Sequence, residues 1–255
     1  MLDEPGIFVA GTDTGAGKTV VTAAIALAAR ARGRRVAVLK PAQTGDGAGP
    51  VDDAGFVRRA AGDDPPTTVV PYRLRAPLAP SVAAALEGVR LDPAVVERAY
   101  ADLATEHDLV LVEAAGGVLV PFSDGVDMAG LAALLRLPVV VAARPGLGTL
   151  NHTLLTLEAL HRRGLTVLGV VISGYPARPG LDAVTNPGAL ARLTPVPLLG
   201  VIAEDPDLDV EAGRAGRLVE IGPAGLDPLL GGTFSPARFR RETEARRSAL
   251  APSPT

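Results

Sequence analysis

The sequence predicts an α/β protein: one domain built on a doubly wound, mostly parallel sheet with helices on both faces. Three observations carry this reading. Short apolar runs such as Ile7–Ala10, Leu109–Val112 and Pro138–Ala142 contain no polar residue, the pattern of strands covered on both sides. Longer Ala- and Leu-rich stretches of helical period separate them, so each strand returns to the sheet through a crossover, right-handed in nearly all proteins. No internal repeat and no linker interrupts the chain before residue 205. At 255 residues and 47% hydrophobic, the chain can bury a full core.

The elements follow in order. Ile7–Ala10 is expected as the first strand and Lys18–Ala31 as the helix after it. Arg35–Leu39 reads as the second strand. Asp52–Ala61 reads as a short helix behind a Gly-rich loop, with an extended piece near Thr68–Tyr72. Ser81–Glu87 and Pro93–Glu106 have helical period. Leu109–Val112 is a fully apolar strand, Val126–Leu135 a helix and Pro138–Ala142 another strand. Thr149–Arg163 is an amphipathic helix, Thr166–Ile172 a strand, Pro187–Arg192 a short helix and Leu198–Ile202 the final strand. The α/β domain is expected to span residues 1–221. From Gly222 the composition shifts to Gly, Pro and Arg, with Arg238, Arg240, Arg241, Arg246 and Arg247 set against Glu242 and Glu244. Residues 222–255 are expected as a poorly ordered extension in which only Phe239–Leu250 has helical potential.

Composition excludes several function classes. Net charge is -3, so no basic field for nucleic acid or anionic membrane is expected, apart from a local one in the C-terminal arginine cluster, where a nucleic-acid role is the weaker alternative. There are no cysteines, which removes disulfides, thiolate metal sites and cysteine nucleophiles. Met1–Gly6 carries Asp3, Glu4 and Pro5, unlike the positively charged start of a signal peptide. No apolar run approaches the roughly 18 residues of a membrane span, so a soluble cytoplasmic protein is the expectation. His107, His152 and His161 are scattered and form no metal cluster.

Of the 25 basic residues, only Lys18 and Lys40 are lysine. A compact ammonium and a planar guanidinium are not interchangeable next to a phosphate or carboxylate. Lys18 is the penultimate residue of Gly11-Thr-Asp-Thr-Gly-Ala-Gly-Lys-Thr19, which follows a strand and opens a helix. This is a phosphate-binding loop: glycines turn backbone N–H groups inward, and the helix adds its positive dipole end. Gly15, Ala16, Gly17, Lys18, Thr19 and Val20 would wrap the phosphates, with Lys18 as point charge and the Thr19 hydroxyl as a Mg²⁺ ligand. The usual first glycine is displaced by one residue, to Gly11. No lysine stands near the start of the loop, where partition and septum-placing ATPases carry a signature lysine.

Lys40 lies at the carboxyl end of the second strand, on the side where α/β sheets bind ligands. Pro41 stops the strand, and Gln43, Thr44 and Gly45 form a polar turn. Glu113 follows the apolar strand at the position of the acid that orients Mg²⁺ in phosphate-loop enzymes. Gly116 and Gly117 then allow close backbone approach to ligand. Either of Asp52 and Asp53 could be an N-cap or a metal ligand. Gly146-Leu-Gly-Thr-Leu-Asn-His152 opens a helix whose free N–H groups suit a carboxylate, or are capped by Thr149 or Asn151.

The set Gly-Thr-Asp-Thr-Gly-Ala-Gly-Lys-Thr, Lys-Pro-Ala-Gln-Thr-Gly, Val-Glu-Ala-Ala-Gly-Gly-Val-Leu-Val-Pro and Gly-Thr-Leu-Asn-His-Thr resembles the dethiobiotin synthetase family in order and spacing, from about Ile7 to Ile202. The resemblance implies a homodimer of P-loop α/β subunits. It implies closure of a ureido ring on 7,8-diaminononanoate with CO₂, ATP and Mg²⁺, through a carbamate and a carbamic-phosphoric anhydride. By the same resemblance, Lys40 holds the carbamate and Lys18 the transferring phosphoryl group. Thr19, Asp53 and Glu113 serve the metal, and Thr14 and Thr44 meet the diamine end. Leu150 and Asn151 take the substrate carboxylate across the dimer interface. The nucleotide would also touch Ala114, Ala115 and Gly116, with its base near Ser173 and Ile202, Ala203 and Glu204. Ala114 stands where the family has glycine, a strained place if φ is positive. Ser173 replaces an Asn that meets the base, so weak discrimination among bases is expected. Ile202–Pro206 lacks the family's usual Ile-Pro.

Two other readings remain open from the residues alone. A cobyrinate- or cobyrate-type amide synthetase needs a glutaminase cysteine, which this chain lacks. A nucleotide-switched partition ATPase carries the signature lysine that is missing here.

Overall fold

Side chains inside each strand alternate between two layers, and this decides the architecture. The computed structural model describes residues 5–45 and 50–250, with side chains up to residue 248. In chain order its elements are β1 (Gly6–Gly11), α1 (Lys18–Arg30), β2 (Val36–Leu39), β3 (Ala42–Thr44), α2 (Asp53–Ala60), β4 (Thr67–Val69), β5 (Tyr72–Leu74), α3 (Pro80–Glu87) and α4 (Pro93–Glu106). There follow β6 (Leu109–Gly117), β7 (Pro121–Ser123), β8 (Val126–Asp127), α5 (Met128–Leu134), β9 (Val139–Ala143), α6 (Thr149–Arg162), β10 (Val167–Tyr175), α7 (Leu181–Leu193) and β11 (Leu198–Ala203). The last are β12 (Leu208–Asp209), β13 (Arg214–Ala215), α8 (Leu218–Ala224), a 3₁₀ turn (Pro228–Leu230) and α9 (Pro236–Leu250).

Seven strands form the central sheet in the order β11-β10-β9-β1-β6-β2-β4, and every pairing in it is parallel. β1 lies at the centre, where winding reverses direction and a crevice opens above the strand ends. Ile7 and Val9 enter the layer under α1, α2 and α8. Phe8 and Ala10 enter the opposite layer, with residues of α3, α4, α5 and α6. Leu109 and Leu111 against Val110 and Val112 repeat this division in β6. Two covered faces explain the unbroken apolar runs.

Small departures from the expected elements have local causes. The helix read from Val126 starts at Met128, because Asp127 accepts a hydrogen bond from Gly130 N–H (2.7 Å) and caps it. Val126 and Asp127 instead pair with β7. α7 is longer than the expected 187–192 and carries Pro187 inside. Proline disfavours a helix interior, but Asn186 Nδ2 donates to the carbonyls of Pro145 (2.9 Å) and Gly146 (3.1 Å) and anchors the helix.

The largest difference is at the C-terminal end. A boundary at 221 falls inside α8, and the segment expected as a solvated extension carries three packed elements. Gly222 lies against α1, where an added Cβ would come within 3.0 Å of Ala24 Cβ. Leu226 and Leu230 are fully buried, each a gain of about 1.5–3 kcal/mol by transfer from water. Phe234 and Phe239 join Tyr175 on the outer edge of the sheet. Residues 251–255, also part of the expected extension, lie outside the described residues.

Candidate active site

The carboxyl ends of β1, β2, β6 and β10 meet around one cleft. β1 hands the chain to the glycine loop, and Thr12 N–H bonds to Ala142 O (3.0 Å), fixing the loop to β9. Gly15 (φ +73°) and Gly17 (φ +85°) adopt the left-handed region, which glycine enters without strain. Gly17 is the N-cap of α1 and no side chain caps it, so the first amides of the helix are available to an anion. A side chain at 17 would also meet Ser173, whose Cβ would be 2.6 Å away.

Lys18 folds back along the loop. Its Nζ donates to Asp13 O (3.0 Å). Burial lowers its pKa to about 8, helped by the nearby Lys40 charge and opposed by Glu113, Asp53 and Asp13. A phosphate delivered here would supply the negative charge this ammonium lacks.

One helical position further on, Thr19 Oγ1 donates within reach of two carboxylates, Glu113 Oε1 (2.9 Å) and Asp53 Oδ1 (3.2 Å). Lys40 Nζ joins the same pair, at 2.9 Å from Glu113 Oε1 and 2.6 Å from Asp53 Oδ2, and donates to Ala114 O (3.2 Å). Strand register builds this cluster. Leu39 pairs with Val112, so the next residues, Lys40 and Glu113, stand side by side at the sheet's upper edge. Lys40 is 4% and Glu113 1% exposed. Burial disfavours the Lys40 charge, but Glu113 and Asp53 outweigh it and raise the pKa. Burial likewise acts against the Asp53 charge, and Lys40 outweighs it to lower that pKa.

The two adjacent aspartates divide their work. Asp52 Oδ1 accepts from Gly55 N–H (2.5 Å) as the N-cap of α2, and Asp52 Oδ2 pairs with Arg73 (2.6 Å). Asp53 is thereby left free to face Lys40 and Thr19. Thr19, Asp53 and Glu113 offer only oxygen donors, which suits a hard cation such as Mg²⁺.

The cleft has a volume of about 1180 Å³. Of the residues singled out from the sequence, Thr14, Gly15, Gly17, Lys18, Thr19, Val20, Lys40, Thr44, Asp53, Glu113, Ala115, Gly116 and Ser173 line it. Ala16 and Ala114 are buried beside it and do not line it. Ala114 is unstrained, because Arg136 is the only non-glycine with positive φ among the described residues. Gly116 does need positive φ (+68°), and a Cβ there would meet Val120 Cγ2 at 2.8 Å.

Five expected residues lie elsewhere. Leu150 and Asn151 sit in the first turn of α6, beside Leu147, which is 94% exposed. They do not reach the cleft of their own chain. Ile202 is fully buried under the α1 layer, Ala203 lines a separate cavity, and Glu204 is exposed at the end of β11. The far wall is instead Asp209–Ala212, a segment the sequence reading missed. The β12–β13 hairpin places it, turning at Gly213 (φ +68°) against Arg59 and Val51. The glycines at 213 and 216 were its only signal.

A glycine loop at a helix start, with lysine, hydroxyl and two carboxylates below it, defines the chain as a P-loop nucleotide-dependent enzyme. Residues 5–212 match the AAA domain family. The ATP-dependent dethiobiotin synthetase of Saccharopolyspora erythraea is 47% identical over 230 residues, covering 90% of this chain and 98% of the relative. That of Anaeromyxobacter dehalogenans (strain 2CP-C) is 45% identical over 215 residues, covering 84% and 96%. The chain belongs to the ATP-dependent dethiobiotin synthetase family, whose members are ligases of biotin biosynthesis. Among solved structures, the cell division ATPase MinD of Pyrococcus furiosus aligns with a TM-score of 0.56 at 20% identity, covering 95% of this chain and all of that one. The cobyrinic acid a,c-diamide synthase of Mycobacterium smegmatis aligns at 0.51 and 20% identity, covering 85% and 90%. These two share the fold, and the far higher identity to the synthetases sets the partition and cobyrinate readings aside.

Proposed function

We propose that this cleft closes the ureido ring of dethiobiotin on 7,8-diaminononanoate, with CO₂ and ATP, and that Lys40 holds the reacting carbamate. The observation that carries the reading is Lys40 itself: a buried ammonium beside a phosphate loop, far from any role in solvation. One amine of the substrate takes up CO₂ and loses a proton to become a carbamate. A carbamate oxygen attacks the γ-phosphorus and ADP leaves. The second amine attacks the carbonyl carbon of the mixed anhydride, the ring closes, and inorganic phosphate leaves with its bonding pair.

Each protein group has a positional task. The amides at the start of α1 and the Lys18 ammonium neutralise the phosphoryl group in flight. Lys40 neutralises the carbamate and aims its oxygen along the loop. Thr14 and Thr44 flank the diamine end. Thr19, Asp53 and Glu113 would hold Mg²⁺, which when bound neutralises phosphate charge. No covalent enzyme intermediate is required, consistent with positioning as the main source of rate. The nucleotide base lies along Ser173, Gly174 and the 209–212 wall. Leu150 and Asn151 serve the substrate carboxylate in a homodimer, where their exposure on one chain is removed by the second. The protein works in the cytoplasm.

The test is product formation by purified protein given diamine, bicarbonate and ATP. Phosphate release should depend on diamine. Well-folded protein with no diamine-dependent release refutes the reading.

A further inference from the structure

On the outer edge of the sheet a second cavity of about 500 Å³ opens between the ends of β10 and β11 and the helix α9. Its size lies within the range of small-molecule pockets, and it shares no lining residue with the cleft. Tyr175, Phe234 and Phe239 form its aromatic side. Tyr175 and Phe239 meet edge to face at 5.3 Å, and Phe234 and Phe239 lie 5.6 Å apart.

Two polar groups in this wall lack partners. Tyr175 is 8% exposed, and its Oη is buried without a hydrogen bond. A buried hydroxyl normally finds a partner, so an orphan asks for an explanation. Burial raises the phenol pKa, and the Arg246 charge works against that rise, which puts the guanidinium in the phenol's field. Arg238 in the same wall is matched by Glu242 (2.8 Å). Arg246 has no carboxylate partner among the described residues. The cavity therefore combines stacked rings with the exposed, uncompensated charge of Arg246 at its rim, while the Tyr175 hydroxyl is buried behind the rings.

We propose that this cavity is a second ligand site, built by the C-terminal segment, for a small aromatic anion. The ring packs against Tyr175, Phe234 and Phe239, and the carboxylate, sulfonate or phosphate of the ligand meets Arg246. Such a site takes its specificity from the pairing of ring and charge, since a fork of guanidinium donors matches an oxyanion.

The full chain is titrated with 8-anilinonaphthalene-1-sulfonate, read by fluorescence, with saturating ATP and without. One site per chain is expected, with affinity unchanged by ATP. Arg246→Ala should weaken binding at least tenfold, and Arg241→Ala on the same helix should not. N-phenyl-1-naphthylamine, which lacks the sulfonate, should bind at least tenfold more weakly. Tyr175→Phe keeps the ring and should bind the probe within a few fold, while raising the melting temperature of the ligand-free protein, because the orphan hydroxyl is gone. Equal affinity in the Arg246→Ala protein overturns the proposal. So does competitive displacement of the probe by ATP, which would make the cavity the base end of the nucleotide site.

Discussion

Lys40 and Glu113 form a buried ion pair, 2.9 Å from Nζ to Oε1, at the upper edge of adjacent strands. The same carboxylate oxygen accepts from the Thr19 hydroxyl. One acid thus serves both the phosphate-loop helix and the lysine.

Replacing Lys40 with Ala therefore leaves Glu113 buried and short of its main partner. Removing one member of a buried pair costs about 3–5 kcal/mol. The expected result is a lower melting temperature, partly restored by Mg²⁺, together with loss of ring closure and nucleotide binding retained within a few fold. Lys40→Arg keeps the charge and should still lose at least a hundredfold in kcat. Melting curves and single-turnover phosphate release check both.

Lys18 sets a pH dependence. Its folded pKa is about 8 against an ordinary 10.5, so between these values the unfolded chain holds a proton that the folded one has shed. Stability then rises with pH across pH 8 to 10.5, by on the order of 3 kcal/mol from this group. Below pH 8 the full penalty of the buried charge is present. Nucleotide binding has the opposite sign: bound phosphate favours the ammonium, so ATP binding at pH 8.5 should take up a proton. Calorimetry in two buffers of different ionisation heat measures this, and Lys18→Met should abolish the uptake.

Gly17→Ala tests the loop geometry. Positive φ costs an alanine about 1–2 kcal/mol, and the new methyl also collides with Ser173. Denaturant unfolding should show that loss, and ATP affinity should fall at least tenfold. Adding Ser173→Gly should relieve the collision and leave the backbone strain.

The serine at 173 also bears on the choice of nucleotide. A single short hydroxyl over Gly17 offers little to tell one base edge from another. ATP, GTP and CTP are expected to support turnover with kcat/KM values within about tenfold of one another. A competition series read by phosphate release decides the point.

Sequence made the parts of the site legible where chemistry and local structure coincide. Gly17-Lys18-Thr19 after a strand, and Glu113 after an apolar run, are read by type and position alone. Asp52 and Asp53 were not separable, because both suit a helix start, and only the Gly55 contact assigns the cap. The adjacency of Lys40 and Glu113 depends on strand register across 73 residues of sequence, which no local pattern encodes. α7 was read short because Pro187 argues for a break. The C-terminal packing was missed because Leu218, Leu226, Leu230, Phe234 and Phe239 fall at irregular intervals among Gly, Pro and Arg, so neither the strand nor the helix period emerges.

The contact of Gly222 with Ala24 gives that C-terminal segment a mechanical meaning. α1 is gripped between the sheet on one side and α8 on the other, and α8 begins six residues beyond the end of the matched 5–212 span. The helix whose amino end receives phosphate is thus clamped from behind by residues beyond the matched 5–212 domain. Amide exchange along Val20–Ala28 should slow or quicken with the integrity of that clamp, as the rear face of α1 is either sealed from water or laid open to it.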